Sequence, residues 1–519
     1  YTPVITENGI AYRKEGSDTQ TSYSEGGYSK ARDWYMELAL NYSRKFGDHN
    51  VSGLLLYNQS KRYYPGGTYD YIPSGYVGLV GRITYDWKSR YMAEFNAGYN
   101  GSENFAPENR YGFFPAGSIG WVLSEEQFFA PLKKVVGYFK VRAAVGMVGN
   151  DRMGSNRFLY LPGKYSYGSG DGYYFGTNVN NKKPGAWEAS QSNPDAKWET
   201  AVKQNYGIDF NILNERLSVS PDYLPGILGM TLPVVNVGKT ENRGFEIQAK
   251  WNDKLNDDFR YWANFNLSFA RNKIIFKNEV AQNEEWMYET GRRIGSRSMY
   301  KFWGFYDETA DKRYQTEYGR PIADHGMTLA PGDAVFVDLN GDGVLNGDDA
   351  TRDIGFTDIP EYTAGLNLGF SWKNFDFSMQ WTGAWNVDRM LSEFRRPLGD
   401  TNSKALLLYQ YETTWRSSED TFTAKFPRAS NSHASNNYRG TDLYLINASY
   451  LRLKNVEIGY NFDFPFMKKM KLDNCRLYIN GYNLLTITGF DWGDPESRQS
   501  DRPNYPLTRV FNIGLKVGF

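Results

Sequence analysis

One stretch of the chain carries side chains that could bind a metal ion. Residues 338–349 read Asp-Leu-Asn-Gly-Asp-Gly-Val-Leu-Asn-Gly-Asp-Asp, which follows the calcium-loop pattern D-x-N-x-D-G with a carboxylate at the twelfth position. Ca²⁺ is a hard cation that takes roughly six to eight oxygen ligands, and a glycine at position six, here Gly343, allows the sharp turn. The pattern predicts a structural Ca²⁺ site, and a solvated Asx-Gly turn is the alternative interpretation. The predicted ligands are Asp338, Asn340, Asp342, the backbone carbonyl of Val344, Asn346 and Asp349.

The setting of this motif favours a structural role for the ion. The twelfth residue is Asp rather than the Glu of an EF-hand, no flanking helices are predicted, and the pattern resembles the loop of dockerin modules. We expect residues 307–361 to form one long extracellular loop that the ion would stiffen. The three histidines, His49, His325 and His433, are far apart, and neither an H-E-x-x-H, a G-x-S-x-G nor a phosphate-binding loop is present. The chain is therefore not expected to be an enzyme.

The elements that must position this loop are read from a two-residue periodicity. Phe511, Ile513, Leu515 and Val517 alternate with polar residues or glycine, and the same alternation recurs along the chain. Successive strand side chains point to opposite faces, so each such segment has one apolar and one polar face. We predict sixteen strands at 5–13, 34–43, 50–58, 75–87, 90–101, 112–123, 136–147, 199–212, 214–223, 242–252, 258–271, 362–372, 374–385, 450–462, 475–485 and 508–519, with a bulge at Asn455.

Strand length and loop length favour a membrane barrel over a soluble β-sandwich or propeller. The segments run to about 9–13 residues, which is near the span of a tilted membrane strand and longer than the usual five or six. Short connections alternate with long ones, a pattern typical of the periplasmic turns and outer loops of outer-membrane barrels. The predicted fold is all-β, a transmembrane antiparallel β-barrel of about 16 strands, in a multi-pass outer-membrane protein that contacts lipid and lipopolysaccharide. Polar positions that could line its lumen are Glu94, Asn96, Arg142, Glu246, Gln248, Asp376 and Gln380.

The composition agrees with a membrane β-barrel and argues against a nucleic-acid-binding protein. Aromatic residues make up 17% of the chain, as expected for strands flanked by aromatic girdles. Lys plus Arg and Asp plus Glu both number 59, so the formal net charge is zero. A polyanion-binding protein normally has a basic excess, so nucleic acid is not an expected partner. The sequence contains no run of about 18 apolar residues, so no transmembrane helix is predicted.

Ten stretches spread along the chain carry a family pattern in a fixed order. They include the sequences YVGLVGRITYDW, KVRAAVGMVGND, GDAVFVDLNGDG and ASYLRLKNVEIGY. The stretches are Tyr76–Trp87, Tyr91–Tyr99, Gly101–Phe105, Phe114–Trp121, Lys140–Asp151, Asn236–Ile247, Gly332–Gly343, Ala448–Tyr460, Leu477–Leu485 and Tyr505–Phe519. They resemble the barrel of SusC/RagA-type TonB-dependent transporters of Bacteroidetes, and the resemblance covers nearly the whole chain.

The resemblance implies a function as well as a fold. It implies a barrel of about 22 strands, of which residues 1–519 are the C-terminal part, with the plug domain absent from this chain. It implies active, TonB-dependent import of oligosaccharide or peptide nutrients with a SusD-like lipoprotein as lid. The TonB complex would act through the missing N-terminal region. A passive 16-stranded porin-like channel and a non-transport scaffold or adhesin barrel are the alternatives.

Overall fold

A computed structural model describes most of the chain with its side chains. The described residues are 2–6, 9–13, 32–64, 72–151, 157–158, 160–161, 165–174, 182–188, 192–213, 216–232, 235–391, 408–464, 474–491, 493–497 and 507–518. Among them, no helix has both the length and the apolar character needed to cross a membrane.

Strands dominate the described chain, and helices are few and short. The helices are α1 (Ala310–Tyr318), α2 (Leu408–Thr413) and α3 (Ala434–Asn437). The strands are β1 (Thr2–Thr6), β2 (Gly9–Arg13), β3 (Arg32–Phe46), β4 (His49–Tyr63), β5 (Ser74–Trp87), β6 (Tyr91–Ser102), β7 (Tyr111–Val122), β8 (Val136–Asn150), β9 (Tyr165–Tyr174), β10 (Lys182–Glu188), β11 (Glu199–Ile212), β12 (Leu217–Leu232), β13 (Val235–Lys254), β14 (Phe259–Phe276), β15 (Met299–Tyr300), β16 (Phe302–Phe305), β17 (Ala334–Phe336), β18 (Ala350–Thr351), β19 (Tyr362–Trp372), β20 (Phe375–Trp385), β21 (Asp388–Met390), β22 (Leu445–Asn447), β23 (Tyr450–Phe462), β24 (Asn474–Thr488) and β25 (Val510–Gly518).

Fifteen of these strands form one continuous sheet in which every neighbouring pair is antiparallel. The order is β25-β24-β23-β20-β19-β14-β13-β12-β11-β8-β7-β6-β5-β4-β3. Neighbours in the sheet are therefore neighbours among its strands along the chain, as in an up-and-down barrel wall. The predicted bulge is confirmed, because the register of β23 shifts between Leu453 and Asn455 against β24 and at the matching position against β20.

The first predicted strand is wrong. Residues 5–13 were expected to be one wall strand, but β1 and β2 form a separate two-stranded sheet whose backbone register pairs Ile5 with Ile10. The sequence carries Asn8-Gly9, the dipeptide that most strongly favours a hairpin turn, in the middle of that segment. The long sheet therefore has 15 strands in the described residues rather than 16.

Connections differ sharply between the two ends of the sheet. At one end, tight turns join most of the strands, and a longer connection of residues 123–135 joins β7 to β8. Lys88 and Ser89 both have positive φ, 55° and 54°, as a type I′ hairpin turn requires, and Lys373 has a φ of 51°. At the other end, residues 277–361 connect β14 to β19 and residues 386–449 connect β20 to β23. We call these the short-turn end and the long-loop end.

The two faces of the sheet have opposite chemistry. The apolar face carries exposed side chains such as Ile83, Phe95, Ile119 and Val145. The other face carries charged and amide side chains from the alternate positions. Apolar side chains in water are costly to expose, at about 25 cal/mol per Å², so an apolar face of this extent requires an apolar solvent.

Candidate functional site

Ion pairs cover part of the polar face of the sheet, towards the short-turn end. The Arg142 guanidinium on β8 contacts the carboxylates of Asp209 on β11, at 3.1 Å, and of Asp222 on β12. It also donates a hydrogen bond to the side-chain oxygen of Asn205 at 3.0 Å. One side chain thus links three adjacent strands on the polar face.

A second network repeats this arrangement on the other half of the sheet. Arg476 on β24 contacts Asp376 on β20 at 3.0 Å and Glu457 on β23 at 2.7 Å. Asn480 donates to Glu457 at 3.2 Å and accepts from Asn512 at 2.9 Å. The face is thus lined by satisfied charges of both signs, the composition expected of a hydrated barrel interior.

The lining positions suggested by the sequence lie in these networks or close to them. Glu94 accepts hydrogen bonds from Arg82 at 2.9 Å and from Asn96 at 2.6 Å. Glu246 accepts from Ser268 at 3.4 Å on the neighbouring strand. Arg142 and Asp376 are members of the two networks described above. Gln248 and Gln380 occupy the same phase of their strands as these residues.

The long loops at the other end pack into a body with its own buried core, here called the loop assembly. It comprises the described parts of 277–361, 386–449 and 489–497. Its largest apolar cluster combines side chains from all three segments, namely Met299, Val387, Met390, Leu391, Phe426, Tyr438, Tyr444, Ala448 and Phe490.

A fully buried carboxylate ties two of these loops together. Asp333, just before β17, has no exposed surface. Its oxygens lie 2.7 Å from Arg428 Nε, 2.7 Å from His433 Nδ1 and 3.0 Å from Asn437 Nδ2. Burial raises the pKa of Asp333, but hydrogen bonds from Arg428, Asn437, the Ala330 backbone and His433 outweigh it and hold the pKa below its usual range.

A second buried carboxylate joins the loop assembly to the sheet. Glu361 precedes β19 and accepts a bidentate pair of hydrogen bonds from Arg271, at 2.8 and 2.7 Å. Arg293 and Asn386 contact the same carboxylate at 2.5 and 3.0 Å. Burial raises the pKa of Glu361, but these donors together lower it below the usual range.

Two buried arginines fix the loop that follows β24. Arg452, at the start of β23, is 3% exposed in its side chain and lies 2.8 Å from Asp494. Arg389 donates to the backbone carbonyls of Ser497 at 2.7 Å and of Asp358 at 2.6 Å. Arg389, whose side chain is 5% exposed, therefore joins all three long-loop segments.

The predicted calcium ligands lie in the loop assembly, and the structure separates them into two groups. Asp338 and Asp349 are fully buried, whereas Asp342 and Val344 are exposed. The Asp338 carboxylate accepts from the Gly341 backbone N–H at 2.6 Å and from Gly343 at 3.1 Å. Positions one and six of the motif are thus joined as its turn requires.

The closing residue of the motif bonds back to its start. Asp349 accepts from the backbone N–H of Leu339 at 2.7 Å and of Asn346 at 2.9 Å. Burial raises the pKa of Asp349, and the charge of Asp338 adds to the shift against the opposing backbone donors. Asn346 also accepts from the Asp348 N–H at 2.7 Å.

The middle ligands, the half-buried Asn340 and the exposed Asp342, contact each other. Asn340 Nδ2 donates to Asp342 at 3.0 Å, and the other Asp342 oxygen accepts from the Val344 N–H at 2.8 Å. Arg320 donates to the Asp338 backbone carbonyl, and the Tyr314 hydroxyl of α1 contacts the Asp338 N–H at 3.2 Å. In the described part of the chain, no three His, Cys, Asp or Glu side chains are grouped closely enough to hold a metal.

The loop assembly contains contacts that sequence reasoning missed. His433 and Asp333 are 100 residues apart, so no local spacing indicates that they meet. Arg389 and Ser497 are 108 residues apart. Before the structure is known, the sequence signals in this region are the family-like segment Gly332–Gly343 and the overlapping motif at 338–349, and neither indicates these distant contacts.

The fold and its two faces define the protein class. A single antiparallel sheet of 15 long strands, with an exposed apolar face and a polar face lined by ion pairs, is part of a transmembrane β-barrel. Tight turns at one end and long loops at the other are the arrangement of this class.

Comparisons with known proteins show which barrels the chain is similar to. The chain is 27% identical to the TonB-dependent receptor P3 of Formosa agariphila in an alignment 564 positions long, which covers 95% of this chain and 53% of that protein. It is 26% identical to the TonB-dependent receptor SusC of Bacteroides thetaiotaomicron, covering 85% of this chain and 44% of that protein. No family model matches the chain.

Solved structures give the same result for the fold. The RagAB peptide transporter superposes with a TM-score of 0.71 at 18% identity, over 94% of this chain and 56% of that one. The RagAB peptide importer in its "open-open" state gives a TM-score of 0.69. The resemblance to SusC/RagA-type TonB-dependent receptors is thereby confirmed. The chain spans about half the length of the curated relatives it matches.

Proposed function

We propose that this chain is the barrel part of an outer-membrane, TonB-dependent importer of oligosaccharide or peptide nutrients that works with a SusD-like lid lipoprotein. The observation that carries the proposal is the similarity to a TonB-dependent receptor across 95% of the chain. The superposition on the RagAB peptide importer over 94% of the chain supports it. The role is transport, without catalysis of a reaction by this chain.

The geometry supports this role in two ways. The ion-pair networks around Arg142 and Arg476 give the barrel a hydrated inner wall on which polar nutrients can be solvated. The loop assembly lies at the long-loop end, which this proposal makes extracellular. Because it is fixed by buried ion pairs at Asp333, Glu361 and Arg452, it presents a stiff rim for a lid to dock on.

Isolation of the native complex tests the proposal directly. The barrel chain is extracted from outer membranes in mild detergent, and its partners and their masses are measured by intact mass spectrometry. We expect a co-purifying surface lipoprotein and a barrel chain close to twice the 59.5 kDa of this sequence. A chain of this mass recovered alone would contradict TonB coupling and favour an independent pore.

Two further assays separate the alternatives. In planar bilayers a plugged importer is nearly silent, whereas a passive porin-like channel conducts continuously. A scaffold or adhesin barrel predicts no growth defect on any glycan or peptide after deletion of the gene. Continuous conductance, or normal growth on every tested nutrient, would overturn the importer.

We also propose that residues 338–349 bind Ca²⁺ and thereby stiffen the loop assembly. Asp338 and Asp349 are buried close enough for the charge of one to raise the pKa of the other. A cation between them would offset this repulsion, because a buried charge is costly unless it is paired or coordinates a metal. The half-buried Asn340 and the exposed Asp342 would turn inward to complete an oxygen site.

Metal analysis of the purified complex tests the calcium proposal. Replacing Asp338 and Asp342 with Ala should remove bound Ca²⁺ and speed hydrogen exchange across 307–361. Asp348→Ala is the matched control, since Asp348 lies in the same loop but is not a predicted ligand and contacts Asn283. An ion content that is the same in the double variant and the wild type would contradict the proposal.

A further inference from the structure

The outward face of β14 changes from apolar to basic where the strand approaches the long-loop end. Phe265, Leu267 and Phe269 occupy one phase of the strand, and Arg271 and Lys273 continue it. The Arg271 guanidinium lies 5.5 Å from the centroid of the Phe269 ring, so the two side chains share a face. The basic residues therefore lie on the same outward face as the apolar band and nearer the long-loop end.

The neighbouring strand shows the same change at the same level. Phe245 on β13 is opposite Phe269, and Arg243 is opposite Arg271. The next residue of this phase, Glu241, is opposite Lys273 and forms an ion pair with Arg243, so the basic excess of the outward face comes from Arg271 and Lys273 on β14. Both arginines are at least half exposed in their side chains, at 67% and 50%. Glu246 meets Ser268 on the opposite face of the sheet, which places the arginines outside the barrel rather than in its interior.

A cavity of about 240 Å³ opens beside Arg271, between β14 and the loop assembly. Five basic side chains and one acidic side chain line it, and the acidic one, Asp353, is already paired with Arg292 at 2.8 Å. The basic residues are Arg271, Lys273, Arg292, Arg293 and Arg352.

Hydrogen-bond donors at this cavity are left over after the internal contacts are made. Arg271 uses Nε and Nη2, and Arg293 uses Nε, to bind Glu361. Among the described residues, no acceptor is bound to the remaining N–H groups of these two side chains, which could therefore bind a ligand. Within the described residues, Lys273 has no partner for its ammonium group. The Ser296 hydroxyl is buried there without a hydrogen bond to any described group. A buried hydroxyl without a partner is costly, so a ligand acceptor at this point would be favourable.

Guanidinium groups, an ammonium and a hydroxyl around a small cavity match the oxygens of a phosphate group. The position above an outward apolar band matches a molecule with both an acyl chain and a charged head. We propose that this rim site binds the phosphorylated headgroup of an outer-leaflet glycolipid of the lipid A type, whose acyl chains lie on the band below. This inference rests on the outer-membrane placement proposed above.

Lipid retention by the full-length barrel in its native complex tests the inference. The complex is placed in phosphatidylcholine nanodiscs that contain either bisphosphorylated lipid A or its dephosphorylated form, and bound lipid is counted by native mass spectrometry. The wild type should prefer the phosphorylated form. Lys273→Glu should reduce that preference roughly tenfold, since each basic residue near a charged headgroup contributes on the order of a fivefold change in affinity.

Ser296→Ala provides a second variant, expected to weaken the preference by about threefold through the lost hydroxyl contact. The matched control is Lys373→Glu, which makes the same charge change at an exposed lysine at the short-turn end. It should leave the preference unaltered.

Three results would overturn the inference. They are equal retention of both lipid forms by the wild type, an unaltered preference in Lys273→Glu, and loss of the preference in millimolar inorganic phosphate, which would indicate a free-anion site. Membrane fractionation keeps this test apart from the proposed function. A complex found in the outer membrane with its lipoprotein, but with no lipid A preference, would refute only the rim site.

Discussion

The wall of 15 strands and the loop assembly differ in the kind of side chain that they expose and the kind that they bury. On the wall, large apolar side chains are exposed, among them Phe511 at 71% and Ile513 at 72%. In the loop assembly, Asp333, Asp338 and Asp349 have no exposed surface at all. The wall therefore presents apolar groups to its surroundings, whereas the loop assembly withdraws charged groups from them.

The difference shows that two solvents act on this molecule. A lipid environment favours an apolar exterior and requires backbone groups to be paired. The antiparallel ladder pairs each strand with its neighbours, and among the described residues only the outer edges of β3 and β25 lack a neighbouring strand. Water favours the burial of apolar side chains in a core, and a charged group can be buried in that core only when it is paired and hydrogen-bonded. The loop assembly obeys the second rule, since Asp333 has four different donors.

Loss of the Asp333 carboxylate should cause the largest local effect. Asp333→Ala leaves Arg428, His433 and Asn437 without their shared acceptor, and breaking a buried ion pair costs about 3–5 kcal/mol. Hydrogen exchange should accelerate across the loop assembly, while the exchange of wall strands such as β6 is unchanged.

The control for this variant is Asp257→Ala, which removes a carboxylate that is 97% exposed in the turn between β13 and β14. It should alter neither region. Equal acceleration of exchange in the wall and in the loop assembly would show that the two regions do not open separately.

Neighbouring residues on β6 test the two faces of the wall. Phe95 is on the apolar face, and Asn96 is on the polar face next to Glu94. Phe95→Arg should destabilise the barrel in lipid by about 2–4 kcal/mol, because a charge on the lipid face is costly near the middle of the membrane. Asn96→Arg should be close to neutral. Unfolding by urea in lipid vesicles measures both, and equal costs would refute the assignment of the faces.

Lowering the pH should destabilise the loop assembly before the wall, with a smaller effect than the substitutions above. Because the folded protein holds the pKa of Asp333 below its usual range, the carboxylate contributes stability at pH values above the ordinary Asp pKa of about 3.9. That contribution is lost as the pH falls through the lowered pKa. Hydrogen exchange followed downward from pH 5 should therefore show the loop assembly opening first. In Asp333→Asn this acid step should be absent, and its persistence would assign the step to another group.

The wall could be predicted from the sequence because its signal is local. Alternation of side chains along 362–372 and 450–462 gave the bounds of β19 and β23 as the structure has them. The shift of phase at Asn455 was visible as a change in the position of apolar residues. The error at 5–13 came from reading one run of alternation through an Asn-Gly turn sequence.

The loop assembly could not be predicted in the same way, because its contacts are distant in sequence and follow no period. The motif at 338–349 gave the turn around Gly343 correctly, since that turn is set by neighbouring residues. The contact of Arg320 with the Asp338 carbonyl depends on where α1 ends and packs, which no spacing encodes. The binding of a calcium ion by residues 338–349 stays a prediction.

The long separations inside the loop assembly also set an order of events during folding. Neighbouring wall strands such as β5 and β6 are joined by a turn of a few residues, so they pair after a short loop closure. Asp333 and Asn437 are 104 positions apart in sequence, so they meet only after the chain between them, including β19 and β20, has been placed. Contacts of high sequence separation form slowly, so the hairpins of the wall should be assembled before the loops above them close. The rim is then the last part of the molecule to mature, and a newly inserted barrel passes through a stage in which its strands are paired but its mouth is still unstructured.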